Sequence, residues 1–186
     1  MAAQSTPPAI GTLGPDFDLP GVCGQRWTRE AAVGPNGLLV MFICNHCPYV
    51  QAVLDRIVRD ARELQALGIG VVAICSNDAA AYPEDGFDSM RRLWHDRALP
   101  FPYLRDETQE VARAYGAVCT PDFFGYNRDL QLQYRGRLDA SGRQPAVNAR
   151  RELFEAMKAI AATGRGPDEQ TPSIGCSIKW KEAAAG

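Results

Sequence analysis

Two nearly continuous apolar runs stand out in the first half of the chain. Residues 37–43 and 69–76 are rich in Val, Ile and Leu, which is typical of central strands that are covered on both faces. The segment between them carries apolar residues at three- and four-residue steps, with charged residues at the opposite positions, and it ends near Gly68. This spacing predicts one long amphipathic helix. Its apolar positions are Val50, Val53, Leu54, Ile57, Val58, Ala61, Leu64 and Leu67.

The alternation of strands and helices continues along the rest of the chain. Short β-prone segments on both sides of residues 21–24, a turn rich in glycine, predict an N-terminal hairpin before the main sheet. The later patterns predict a helix within 86–98, a strand at 101–104, a helix at 107–115, a hairpin over 123–138 and a helix at 153–161. Together these elements predict an α/β fold.

Composition and charge argue against several classes of partner. The 186 residues, 46% of them hydrophobic, are enough for one well-packed domain. A formal net charge of -2 gives no reason to expect nucleic acid, which needs a basic face. No apolar run approaches membrane-spanning length, and no secretory signal precedes Arg26, the first basic residue. The net charge and the short apolar runs therefore lead us to expect no nucleic acid and no membrane. The glycine motifs that bind phosphates do not occur, so we also expect no cofactor.

The most informative motif is Cys44-Asn45-His46-Cys47-Pro48, at the junction of the first apolar run and the long helix. Unpaired backbone N–H groups and the helix dipole favour a thiolate at the start of a helix, and the thiolate is the nucleophile in disulfide exchange. Two residues between the cysteines also allow them to pair with each other. The motif therefore predicts a thiol redox centre.

The remaining cysteines bear on the cellular compartment. Six cysteines occur at irregular positions, namely 23, 44, 47, 75, 119 and 176. In a chain of this size the pattern is unlike a small secreted disulfide scaffold. We expect a reducing compartment, the cytoplasm.

Element order and three segments together resemble the thioredoxin superfamily, in particular its peroxiredoxin-like branch of alkyl hydroperoxide reductase and thiol-specific antioxidant proteins. The segments are Gly14-Pro15-Asp16-Phe17-Asp18-Leu19, Cys44-Asn45-His46-Cys47-Pro48 and Thr120-Pro121. The resemblance implies a thioredoxin-like fold with a central mixed sheet flanked by helices and an N-terminal hairpin extension. We expect an irregular lead-in over 1–16, a redoxin domain over 17–166 and a tail over 167–186 that docks on the domain.

The resemblance also implies roles for the site residues. Thr120-Pro121 is expected to be a cis peptide that packs against the dithiol and leaves the Thr120 backbone free to pair with an incoming extended chain. Pro48 supports the start of the helix. In the thioredoxin pattern Cys44 attacks and Cys47 resolves the mixed disulfide. In the peroxiredoxin pattern Cys47 attacks the peroxide, and Cys44 stands where that motif has threonine, so both assignments remain open.

Neighbouring positions depart from thioredoxin itself. Leu38 and Ile43 stand where thioredoxin has a buried acid and an aromatic residue, so the buried thiol needs another proton acceptor. His46 is the nearest candidate. Cys119, two residues before Pro121, and Cys176, in an apolar tail segment, are possible accessory thiols.

The sequence thus predicts a thiol-disulfide oxidoreductase, an antioxidant redoxin, in which Cys44 and Cys47 cycle between dithiol and disulfide. Its expected partners are a protein or low-molecular-weight disulfide and a thiol electron donor. A thiol peroxidase with Cys47 as the attacking residue is the first alternative. The second is zinc or copper binding by Cys44, His46 and Cys47 with Cys119 or Cys176, although the preferred interpretation assigns no metal.

Overall fold

The computed structural model describes residues 2–4 and 9–182. The strands are β1 (Ala2–Gln4), β2 (Asp18–Pro20), β3 (Arg26–Thr28), β4 (Gly37–Phe42), β5 (Ile69–Cys75), β6 (Tyr103–Arg105), β7 (Cys119–Thr120), β8 (Asp122–Tyr126), β9 (Leu132–Gly136) and β10 (Ile174–Ser177). The helices are α1 (Arg29–Ala32), α2 (Pro48–Ala66), α3 (Phe87–Asp96), α4 (Glu110–Tyr115) and α5 (Glu152–Thr163), and a 3₁₀ turn spans Pro83–Asp85.

The centre of the molecule is a five-stranded mixed sheet with the strand order β6-β5-β4-β8-β9. The strand β4 is parallel to β5 and antiparallel to β8, while β8 and β9 form an antiparallel hairpin. The strands β2 and β3 pair separately as the N-terminal hairpin. The predicted α/β fold, with its mixed sheet, flanking helices and hairpin extension, is confirmed.

Strand β4 is buried along its whole length because helices cover both faces of the sheet. Side chains of a strand alternate between the faces. Leu39 and Met41 accordingly join a core that contains the apolar side of α2 and α5. Val40 and Phe42 join the opposite core with Tyr115 of α4. The continuous apolar run therefore reflects two cores that share one strand.

Helix α2 begins and ends as its sequence suggests. Pro48 occupies the first turn, where its missing N–H costs nothing and its fixed φ suits a helix. The buried residues are Val50, Val53, Leu54, Ile57, Asp60, Ala61 and Leu64. They include six of the eight predicted apolar positions, whereas Val58 is half-buried and Leu67 exposed. Asp60 was expected on the charged face but is buried, because Arg59 and Arg151 pair with its carboxylate. Gly68 follows the helix with a φ of +77°, a conformation that glycine adopts at low cost.

A second, smaller sheet joins the two ends of the described chain. Its strand order is β1-β10-β7, and all its pairs are antiparallel. Ala2–Gln4 therefore form a strand within the lead-in that was expected to be irregular, because β10 supplies backbone partners that the sequence pattern did not reveal. Residues 1 and 5–8 of that lead-in, and residues 183–186 of the tail, lie outside the described residues.

Among the described residues, no helix combines the length and the apolar character required to cross a bilayer.

Phe42 offers a test of the shared core. Its ring is fully buried and meets the rings of Tyr115 and Phe124 edge to face, with centroids 5.5 and 5.7 Å away. We expect Phe42→Ala to lower the free energy of unfolding by about 3–5 kcal/mol, through lost burial and the cavity left behind. The matched control is Val147→Ala at a side chain that is 88% exposed, with an expected change within about 0.5 kcal/mol. Urea unfolding measures both, and equal stabilities would contradict the described core.

Candidate active site

The dithiol motif lies in the connection from β4 to α2. Cys47 is the residue that caps the N-terminus of the helix, and its carbonyl accepts the backbone N–H groups of Val50 and Gln51, both at 3.0 Å. Cys44 lies earlier in the connection, outside the helix. The unpaired N–H groups and positive dipole end of α2 therefore act on Cys47 more directly than on Cys44.

Thr120 stands opposite the two cysteines. The Cys47 thiol donates to the Thr120 carbonyl oxygen at 3.1 Å, and the Cys44 Sγ lies 3.4 Å from the Thr120 hydroxyl. The Thr120–Pro121 peptide is cis, as predicted. Cys44 and Cys47 are 1% and 0% exposed, so the predicted dithiol and the proline loop come together in a closed pocket of the fold.

The two thiols differ in their proton affinity. A hydrogen bond from Cys44 is the main influence that lowers the pKa of Cys47, and contacts with Cys176, Thr120 and the Val50 N–H lower it further against the opposing effect of burial. The same hydrogen bond to Cys47, together with burial, raises the pKa of Cys44 far above its ordinary range. Of the two thiols Cys47 is therefore the more acidic: when one of them ionises, the charge forms on Cys47, which then no longer donates to the Thr120 carbonyl, and Cys44 keeps its proton.

His46 is held by a buried carboxylate. Its Nδ1 lies 2.6 Å from Oδ2 of Asp85, a residue with no exposed side chain. The backbone N–H groups of Asn45 and His46 donate to the other Asp85 oxygen, and the Asn77 amide donates to Oδ2 at 2.7 Å. The His46 ring also stacks on Tyr82, with centroids 5.3 Å apart. His46 is therefore a fixed part of the site.

Asp85 is the residue that sequence reasoning missed. It lies 39 residues after His46, in the 3₁₀ turn that follows β5. Neither its spacing nor its surroundings in the sequence distinguish it from other acidic residues. Its complete burial was the one signal, and that signal exists only in the folded chain.

The residues that could bind a metal in the structure differ from the set that the sequence suggested. Ligand atoms of Cys44, His46 and Asp85 lie within 4.8 Å of one another, and this is the only such group among the described residues. Cys47, Cys119 and Cys176 are not part of it. The Asp85 oxygens already accept hydrogen bonds from four groups, so a metal ion would compete with them.

The accessory thiols lie near the dithiol in different settings. Cys176, on β10, is partly exposed, and its Cα is paired with that of Thr120, whose carbonyl contacts the Cys47 thiol. Cys119 is fully buried and its thiol donates to the Pro121 carbonyl at 3.7 Å. Burial is the main cause of the raised pKa of Cys119, and the nearby Asp122 carboxylate raises it further. The Cys119 thiol is therefore unreactive.

One expectation about Thr120 is wrong. Its backbone is not free to receive an incoming chain, because β10 pairs antiparallel with β7 and sets Cys176 opposite Thr120. Gly175 makes this close approach possible, since a Cβ at that position would lie 2.0 Å from the Thr120 carbonyl oxygen. The tail of the chain itself occupies the edge.

Two solved structures resemble the whole chain in sequence and fold. The chain is similar to an uncharacterized conserved protein from Geobacillus kaustophilus, with 43% identity, a TM-score of 0.94, and coverage of 99% of this chain and 98% of the other. A hypothetical protein from Sinorhizobium meliloti shares 38% identity with a TM-score of 0.92 over 97% and 99% of the two chains. No curated protein matches the sequence.

More distant structures share the fold alone. A secreted disulfide oxidoreductase from Mycobacterium tuberculosis has 15% identity and a TM-score of 0.57, over 77% of this chain and 94% of the other. The sequence profile described as the AhpC/TSA family matches residues 10–138, which include β4, the dithiol and the Thr120–Pro121 peptide. The chain therefore belongs to the AhpC/TSA family and has the thioredoxin-like fold, as the sequence predicted.

Proposed function

We propose that the protein is a thiol-disulfide oxidoreductase that cycles Cys44 and Cys47 between a dithiol and a disulfide. The observation that carries the proposal is a pair of buried thiols that both contact Thr120, Cys47 at its carbonyl and Cys44 at its hydroxyl, with the pKa of Cys47 lowered and that of Cys44 raised. Such a pair presents a ready thiolate and a neighbouring thiol that can displace whatever the thiolate has attacked. The substrates are disulfides of a protein or a small molecule, and a thiol donor restores the dithiol.

Within this cycle we assign the attack to Cys47 and the resolving step to Cys44. The assignment rests on the helix position of Cys47 and on the direction of the two pKa shifts. His46, oriented by Asp85, serves as the proton acceptor near Cys44 when that thiol must ionise. Pro48, Thr120 and Pro121 fix the positions of the two sulfurs.

Two further parts of the proposal concern context. The six cysteines occur at irregular positions, unlike those of a small secreted disulfide scaffold, and on this ground we assign the protein to the cytoplasm. A second candidate activity is thiol peroxidase, an antioxidant role in which the Cys47 thiolate attacks a peroxide. The buried position of the lowered-pKa thiol favours this candidate, because a peroxide is small enough to reach a nearly closed site.

The reversible disulfide is the first test. We expect oxidised protein to contain a Cys44–Cys47 disulfide that a thiol reductant removes, and differential alkylation followed by peptide mass mapping detects it. A Cys23→Ser variant is the matched control, because Cys23 is exposed and apart from the site, and it should behave as the parent chain. If no redox buffer produces the Cys44–Cys47 disulfide, the proposed function is wrong.

The different acidities of the two thiols give a second test. Cys44→Ala removes the hydrogen-bond donor, whereas Cys44→Ser keeps an O–H group at the same place. A hydrogen bond to a charged group is worth about 1.5–3 kcal/mol, so we expect the pKa of Cys47 to rise by about one to two units in Cys44→Ala. As the pH is lowered, the Cys47 thiolate of Cys44→Ala should therefore be protonated at a higher pH than that of Cys44→Ser.

Ultraviolet absorbance of the thiolate, followed against pH in a Cys23→Ser background, measures this shift. The absorbance of a Cys47→Ser variant provides the baseline. If Cys44→Ala and Cys44→Ser titrate at the same pH, Cys44 does not hold the Cys47 thiolate by a hydrogen bond.

The peroxidase candidate has its own test. Hydrogen peroxide consumption in the presence of a thiol reductant should fall to the background rate in Cys47→Ser, because the attacking sulfur is gone. Cys23→Ser should retain the full rate. Unchanged consumption in Cys47→Ser would rule out Cys47 as the residue that attacks peroxide.

A further inference from the structure

The reactive sulfurs of the site are closed to solvent. Cys44 and Cys47 are 1% and 0% exposed, and β10 covers the edge of Thr120 where a partner chain would have to pair. A thiol donor therefore reaches these two sulfurs less readily than a sulfur at the surface. Of the thiols in this cluster, Cys176 is the one that is partly exposed.

The position of Cys176 is fixed by β10. Its Cα is paired with that of Thr120, whose carbonyl contacts the Cys47 thiol, and Cys176 is near enough to Cys47 to help lower its pKa. Strand pairing on both sides, with β1 and β7, holds the strand in this register. Cys176 therefore bridges the surface and the buried dithiol.

We propose that Cys176 is a third redox residue, the point at which the thiol donor enters, and that it forms a disulfide with Cys47 during each cycle. This inference rests on the Cys44/Cys47 cycle proposed above. It also narrows the donor to one that reaches a single partly exposed sulfur on a strand.

The transfer begins from the Cys44–Cys47 disulfide. The Cys176 thiol loses its proton, and its sulfur attacks the sulfur of Cys47. A Cys47–Cys176 bond forms, the Cys44–Cys47 bond breaks, and Cys44 leaves as a thiolate that takes up a proton. One disulfide replaces another, so this step consumes no oxidant or reductant.

The donor then acts at the exposed sulfur. A thiol RSH, deprotonated, attacks Cys176, forms a mixed disulfide with it and releases Cys47 as a thiolate. A second RSH releases Cys176 as a thiol and leaves as RSSR, so two donor thiols supply the two electrons. Cys47 is the leaving group of this step, and the contacts within the site that lower its pKa favour its departure.

The charges around Cys176 suit this order of events. Burial and the contact with Cys47 raise the pKa of Cys176 to about 11, while Lys179 and Arg143 act in the opposite direction. Once Cys47 is part of a disulfide it carries no negative charge, and the two cations remain. Cys176 ionises more easily in the oxidised protein, which is the state in which it has to attack.

The first experiment traps the bridging disulfide. In Cys44→Ser under an oxidising redox buffer, we expect peptide mass mapping to find a Cys47–Cys176 disulfide. Gly175→Ala should reduce its yield in the same background, because the new Cβ would collide with the Thr120 carbonyl and displace β10. Gly142→Ala is the control, since a Cβ there meets no atom within 4 Å, and it should leave the yield unchanged.

The second experiment measures entry of the donor. The Cys44–Cys47 disulfide should form in Cys176→Ser as in the parent chain, but dithiothreitol should reduce it more slowly, by about tenfold or more, because access limits the rate of exchange. Cys23→Ser should be reduced at the parental rate. Reduction of Cys176→Ser at the parental rate or faster would overturn the proposal.

The two proposals can fail separately. If Cys44→Ser forms no Cys47–Cys176 disulfide while the parent chain still forms Cys44–Cys47, the role of Cys176 is wrong and the dithiol cycle stands. If the Cys44–Cys47 disulfide forms neither in the parent chain nor in Cys176→Ser, the cycle itself is wrong.

Discussion

Thr120 connects every part of the candidate site, since its carbonyl accepts the Cys47 thiol, its hydroxyl lies next to the Cys44 sulfur, and its backbone pairs with β10 opposite Cys176. Three sulfurs are thus positioned by one residue at the end of a short strand. The arrangement depends on Gly175, because any side chain there would push β10 away from the Thr120 carbonyl. The tail is consequently a structural part of the site rather than an appendage.

The charges of the site follow from its hydrogen bonds. Strand β4 supplies no buried acid, because none of its residues is acidic. Leu38 faces the core that contains Tyr115, whereas Cys47 belongs to the other core. Asp85 supplies a carboxylate from another element and holds His46. Its negative charge also adds to the raised pKa of Cys44. These effects make Cys47 the more acidic of the two thiols, which supports the proposed assignment of Cys47 as the attacking residue.

Much of the fold was predictable because the responsible interactions are local or periodic. The spacing of apolar residues predicted α2, since one helical stripe must face the sheet, and the two apolar runs predicted β4 and β5. The β2 and β3 hairpin follows from a turn rich in glycine. The cis peptide before Pro121 came from the family resemblance, not from composition or periodicity.

The sequence by itself determined the α/β fold, the family and the identity of the dithiol, because these depend on periodicity and on a motif of adjacent residues. Only the tertiary structure decided that Asp85 holds His46, that β10 covers Thr120 and that Cys176 lies opposite the residue whose carbonyl contacts Cys47. Those contacts join residues far apart in the chain, and each depends on burial or strand pairing that no local pattern specifies. The relative acidity of Cys44 and Cys47 likewise depends on the folded chain, because the pKa of each thiol is set by its surroundings in space.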